Sequence, residues 1–265
     1  MTEWHRIAER DGVGAWAMGT GPTVLTAHGI EDSWRIWTPI AERLARDYRV
    51  VALDLPWRPG NDYRWAGDGT PGEWLGHAVD VALEAVGDRQ HRLLSHSFGA
   101  TATFELLAHG HRPTSIVLLA PCYRAPHTPV ESLREPCREA LRATIRTGLR
   151  VGLEGRSVDP DVFTIMQQGL EDRLMPQVFP VFFDFFTRTG YLDLSDVDVP
   201  TLVVAGTHDI ALTRERADAL AEQMPHTTVS MYDHYTHFCH QEQPAGIAAE
   251  AAEFLARHAP TGGHA

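Results

Sequence analysis

Short apolar runs alternate along this chain with longer stretches whose apolar residues recur every third or fourth position. The runs are Thr23–Ala27, Arg49–Leu55, Arg92–Ser95, Ser115–Ala120, Thr201–Ala205 and Thr227–Tyr232. Most are rich in Val and Leu, as strands buried on both faces should be. The helical period between them predicts helices near Ser33–Ala45, Pro71–Val86, Phe98–His109, Thr213–Gln223 and Ala245–Ala256. Pro71 suits a first helical turn, where its missing N–H is no loss. Ahead of these, Trp4–Glu9 and Val13–Met18 flank Asp11-Gly12, which predicts a hairpin.

This alternation predicts an α/β fold with a mostly parallel, doubly wound sheet. With the hairpin, the strands number eight. From Cys122 to about Asp196 the rhythm breaks into helical pattern without strands. A helical cap over one edge of the sheet is expected there, within a single domain spanning residues 1–265.

Composition narrows the function classes. Of 265 residues, 43% are hydrophobic, enough for a large buried core. The formal net charge is −12 and every basic residue besides His is Arg. A nucleic-acid backbone would be repelled overall, so nucleic acid is not an expected partner. Met1–Ala8 is polar and lacks the layout of a signal peptide. No apolar run approaches the roughly 18 residues of a membrane span. Cys122, Cys137 and Cys239 cannot all pair within the chain and form no CxxC. Reduced thiols in the cytoplasm are the simplest expectation.

The segment Leu93-Leu94-Ser95-His96-Ser97-Phe98-Gly99-Ala100 ends a strand and opens a helix. That is the setting of a nucleophile elbow, where a sharp turn lifts one side chain above the sheet. Small neighbours are needed because the backbone approaches itself closely. Taken alone, the segment also suits a plain turn whose Ser97 caps the helix. Three further segments add weight. Thr26-Ala27-His28-Gly29-Ile30 ends an earlier strand. Asp209 follows the strand at Val203. His237 lies in the loop after the last strand. The order Ser, Asp, His is that of α/β-hydrolases.

On these motifs the chain resembles an α/β-hydrolase-fold protein over nearly its whole length. The resemblance implies Ser97 as nucleophile, His237 as general base and Asp209 as the residue orienting it. It implies the backbone N–H groups of Ile30 and Phe98 as an oxyanion hole, with no metal and no cofactor. Haloalkane dehalogenases and soluble epoxide hydrolases of this fold carry Asp at the elbow; Ser97 favours acyl transfer instead. Three departures stand out. Ser95 replaces the usual first Gly, Thr236 stands where a Gly commonly precedes the His, and the D-x-P-G-x-G-x-S loop reads Asp54-Leu55-Pro56-Trp57-Arg58-Pro59-Gly60-Asn61. The last places bulky groups near the expected pocket mouth.

Other residues have competing readings. His234, His237 and His240 with Asp233 have metal-ligand chemistry, but the hydrolase pattern already accounts for His237. His96 is expected to face away from the nucleophile. Asp196 and Asp198 precede their strand and so sit at its wrong end. Phe179, Phe182, Phe183, Phe185 and Phe186 suit the cap's own core or an apolar substrate wall. His28, Trp57, Phe182 and Phe183 are the candidate pocket residues, and Tyr63 and Trp65 could rim the entrance. Arg134, Arg138, Arg142, Arg146 and Arg150 recur every fourth residue with Glu131, Glu135 and Glu139 interleaved. That pattern reads as an ion-paired helix face or as a docking surface for an acidic carrier protein.

The expected activity is hydrolysis of an ester or thioester of a small apolar acyl or aromatic substrate through an acyl-enzyme on Ser97. An acyl carrier protein or a CoA thioester is the candidate partner beyond a small molecule. C–C bond hydrolysis, lactone opening and acyl transfer use the same three residues. A ligand-binding protein with a silent Ser-Asp-His set is the reading from a different class.

Overall fold

In the computed structural model, which describes residues 3–259, the eight runs become β1 (His5–Arg10), β2 (Val13–Met18), β3 (Thr23–Ala27), β4 (Arg49–Asp54), β5 (His91–His96), β6 (Ile116–Leu119), β7 (Thr201–Gly206) and β8 (Thr227–Tyr232). The ends of the expected domain, residues 1–2 and 260–265, lie outside the described residues. The helices are α1 (Thr38–Leu44), α2 (Trp65–Asp68), α3 (Pro71–Val86), α4 (Ser97–Ala108), α5 (Arg134–Gly152), α6 (Pro160–Arg188), α7 (Arg214–Gln223), α8 (Cys239–Glu242) and α9 (Pro244–Arg257). Among the described residues, no helix is long and apolar enough to cross a membrane.

Local chemistry explains the boundaries. Asp11 and Gly12 both have positive φ, 50° and 86°, as a two-residue hairpin turn requires. Thr70 and Glu73 form a reciprocal capping box at the start of α3, with Pro71 in its first turn. The helix expected over Ser33–Ala45 instead begins as a 3₁₀ turn, Trp34–Trp37, and becomes α-helical at Thr38. Pro39 is the reason: it is tolerated only in a first turn.

The eight strands form one sheet in the order β1-β2-β4-β3-β5-β6-β7-β8. β1 and β2 pair antiparallel, as do β2 and β4; every later pair is parallel. Alternate residues feed two cores. Leu25, Leu53, Leu93, Leu118 and Val203 pack beneath α3, α4 and α7. Val24, Val50, Leu94, Leu119 and Val204 pack against α1 and α9. The chain runs outward from β3 to β4, then crosses back to β5 on the other side of β3. The carboxyl ends of β3 and β5 therefore flank a topological switch point, where open α/β sheets bind ligands.

Between β6 and β7 lies the strand-free stretch, resolved as α5 and α6. They share a small core of Leu133, Cys137, Leu141, Val178, Phe179 and Phe186 with Cys122. Most of the α5 arginines face α6. Arg134 and Arg138 lie over Phe179, Arg142 pairs with Glu139 and Glu171, and Arg150 lies over Phe163.

Candidate active site

The switch point carries the elbow. Ser97 has φ 51°, left-handed and costly for a residue with a Cβ. Gly99 makes the turn sterically feasible: a Cβ there would stand 2.5 Å from the His28 carbonyl oxygen. Ser95 fits in the usual Gly position because its buried hydroxyl reaches Thr103 Oγ1 at 2.9 Å, and Thr103 donates to the Gly99 carbonyl at 3.0 Å. His96, not Ser97, is the N-cap of α4, and no side chain caps there. The plain capping role for Ser97 is therefore absent.

Ser97 Oγ instead lies 2.8 Å from His237 Nε2, and His237 Nδ1 lies 2.9 Å from Asp209 Oδ2. The Asp209 side chain is 2% exposed and that of His237 10%. Two loops hold this chain. Asp209 Oδ1 accepts from the Ala211 N–H at 2.9 Å. At Gly206, a Cβ would meet the Tyr235 carbonyl oxygen at 1.9 Å, so only Gly lets the Asp209 and His237 loops meet. Thr236, the second departure, accepts from Phe238 N–H at 3.0 Å and donates to Glu242 Oε2 at 2.6 Å. Its hydroxyl fixes the turn that a Gly would merely permit. Asp198 is 82% exposed beside Arg112, consistent with its place at the opposite end of β7.

The loop after β3 is held from behind. Leu55 N–H donates to His28 Nε2 at 3.1 Å, so His28 Nδ1 carries the proton and donates to the Gly29 carbonyl at 2.8 Å. Burial pulls the His28 pKa down to about 4, keeping it neutral. Trp57 Nε1 donates to the His28 carbonyl, and Glu31 N–H to the Trp57 carbonyl. Asn61 Nδ2 and Tyr63 Oη both donate to Glu31 Oε1, at 3.1 and 2.6 Å. The unusual 57–63 segment thus clamps the loop that presents Ile30. Phe98 is the second residue of α4, so its N–H has no acceptor within the helix.

A cavity of about 470 Å³ opens on Ser97 and His237. Its walls are mostly apolar and come largely from α5 and α6, including Leu141, Ile145, Leu149, Leu174, Val178, Phe182 and Phe186. Of the four candidate pocket residues, only Phe182 lines it. His28 and Trp57 are fully buried behind the Ile30 loop. Phe183 turns away to stack on Phe179 at 5.5 Å, with Arg134 over its ring. Bulk at position 57 therefore supports the loop rather than narrowing the mouth. Tyr63 and Trp65 also stay outside the lining; Trp65 packs on Phe98.

Among the described residues, His234, His237, His240 and Asp233 do not gather into one ligand set. His234 is exposed beside Tyr232 and Tyr235, and Asp233 accepts from Thr207. The groups that converge are Asp32, His96 and His240, whose ligand-type atoms lie within 4.8 Å of one another. His96 does not face solvent. It is buried at the cavity wall, and its Nε2 donates to the His237 carbonyl at 2.8 Å. Burial holds His96 well below the ordinary imidazole pKa and His240 at about 3, so both are neutral. Burial pushes Asp32 up to about 7. Position alone, two residues past Ile30, did not mark Asp32 in the sequence.

A model of the alpha/beta hydrolase family matches residues 20–250. A 2-succinyl-6-hydroxy-2,4-cyclohexadiene-1-carboxylate synthase from Yersinia enterocolitica is 31% identical over 93 residues. That match spans 35% of this chain and 32% of the relative, about a third of its length. Similar solved structures include an epoxide hydrolase from Vigna radiata (TM-score 0.67, 19% identity, 97% of this chain and 99% of that one). A bacterial membrane phospholipase A has TM-score 0.71 at 21% identity, covering 97% and 86%. Potato (Solanum tuberosum) epoxide hydrolase I has TM-score 0.66 at 18% identity, covering 96% and 100%. At these identities the structures share the fold.

Proposed function

Because this chain is an enzyme of the alpha/beta hydrolase family, we propose that it is a serine hydrolase cleaving an ester or thioester of an apolar acyl or aromatic group. The observation that carries this reading is the hydrogen-bonded chain Ser97–His237–Asp209 opening onto an apolar cavity. Ser97 Oγ attacks the acyl carbonyl while His237 Nε2 takes its proton. Asp209 holds the Nδ1–H of the imidazole and stabilises the imidazolium. The N–H groups of Ile30 and Phe98 receive the oxyanion; one such donor is typically worth about 10²–10³ in rate. His237 returns the proton to the leaving alcohol or thiol. Water, deprotonated by His237, then releases the acid from Ser97.

The helices α5 and α6 act as the cap, supplying the acyl wall. Ser at the elbow supports acyl transfer over the alkyl-ester route that an Asp would give. A CoA thioester fits this scheme as readily as a small ester. The ion pairs and ring contacts of the α5 arginines support a role in holding α5 to α6 over carrier-protein docking.

Labelling by a fluorophosphonate probe tests the reading. Expected is stoichiometric modification of Ser97, lost in Ser97→Ala, together with a fall in 4-nitrophenyl ester hydrolysis of about 10⁴-fold or more. A folded protein that stays unlabelled and inert would leave the ligand-binding alternative.

A further inference from the structure

The cavity wall holds a cation that nothing above employs. Arg216, in the first turn of α7, lines the cavity beside Phe186, Cys122 and Cys137. Its Nη1 donates to the carbonyls of Ile210 and Ala211 at 3.0 and 3.4 Å. The guanidinium lies over the Phe186 ring, 5.3 Å from its centroid. The head group is thus fixed on one edge and one face. Its other edge, Nε and Nη2, makes no hydrogen bond among the described residues and is not fully buried.

Several other arginines are paired. Arg142, Arg188 and Arg214 each have a carboxylate within 4.0 Å. Among the described residues, Arg216 and Arg173, the other arginine on the cavity lining, have none, and of the two only Arg216 is anchored by hydrogen bonds. Arg216 is half-buried, and an anion on its unpaired edge would gain charge-assisted hydrogen bonds. The free Nε/Nη2 edge presents two parallel donors, which match the two oxygens of one carboxylate. The other walls are mostly apolar, with Glu31, Asp32 and Arg173 also on the lining, and a single planar fork suits a carboxylate.

We propose that Arg216 is a specificity residue that binds a carboxylate carried on the substrate's acyl group, so that the preferred substrates are mono-esters or mono-thioesters of dicarboxylic acids. The inference rests on the Ser97 acyl-enzyme reading. It divides the substrate's two ends: one carbonyl at Ser97 and one carboxylate at Arg216, with an apolar spacer between.

The test compares mono-4-nitrophenyl esters of glutaric, adipic and suberic acid with 4-nitrophenyl alkanoates of matched length. Wild type is expected to favour at least one hemiester in kcat/KM. In Arg216→Gln, which removes the charge and the fork, the hemiester-to-alkanoate ratio falls about tenfold or more, chiefly through KM. Arg216→Lys restores part of it. A ratio that is unity in wild type, or unmoved in Arg216→Gln, overturns the proposal while leaving Ser97 chemistry intact. Direct binding separates the two claims. Titration of mono-4-nitrophenyl suberate into Ser97→Ala should give a Kd about tenfold tighter than into Ser97→Ala/Arg216→Gln, whether or not Ser97 is a nucleophile. Equal Kd values sink the inference.

Discussion

The sheet and the helical pair above it are built under different constraints, and each carries a different part of the site. β3, β5, β6 and β7 are buried along their whole length. Strain is concentrated there, at Ser97 and Glu31, and glycine is forced by backbone contact at Gly99 and Gly206. α5 has only Cys137 and Leu141 fully buried, and Ile165 on α6 is 70% exposed. Its contacts with α6 are rings, ion pairs and a thin apolar seam. On the proposed reading, chemistry sits on the part that tolerates least change, and substrate choice on the part that tolerates most. The Arg216 fork lies where the two meet, after β7 and under α6.

Glycines expose the contrast most sharply. Gly206→Ala drives a Cβ into the Tyr235 carbonyl and should destabilise the protein by more than about 3 kcal/mol, read as a drop in Tm with loss of activity. Gly152→Ala, at the end of α5 with nothing within 4 Å, should instead gain up to about 1 kcal/mol. Comparable costs at both positions would dissolve the contrast. Next in size is a change within the cavity. Thr144 lines its α5 wall, and Thr144→Leu should cut kcat/KM for the longest accepted acyl chain about tenfold while sparing short ones. A uniform loss across chain lengths would mean that α5 does not measure the acyl group.

A pH-dependent effect concerns Asp32, where the two regions meet. Its pKa rises from 3.8 to about 7 on folding, mainly by burial. The folded protein thus holds this proton more tightly than the unfolded chain. Stability falls as pH rises from about 4 to about 7, and the deficit is full above that. Asp32→Asn should match wild type near pH 4 and exceed it in Tm near pH 8, with the gap opening as pH rises between the two. A Tm difference that is the same at both pH values would show that ionisation is not its cause.

Much of the site was legible because its parts are local. A strand that ends, a small residue and a helix that begins are all written in consecutive residues around Ser97. Asp209 and His237 follow strands whose apolar pattern is unmistakable. Pocket residues were harder to read. Phe182 and Phe183 are adjacent in sequence, yet only one faces the cavity, because α6 turns successive side chains about 100° apart. Trp57 looked like a mouth residue from its bulk, whereas its indole N–H is consumed by the His28 carbonyl.

The sequence by itself determined the order and type of elements, the elbow and the Ser, Asp, His order, since burial pattern and turn chemistry are properties of neighbouring residues. Only the tertiary structure decided that Asp32, His96 and His240 share one buried space, that the 57–63 segment clamps the Ile30 loop, and that Arg216 faces the cavity with a free edge. These join residues far apart in the chain. Which of them meet is set by how α5, α6 and the loops pack over the sheet, and no local pattern encodes that packing.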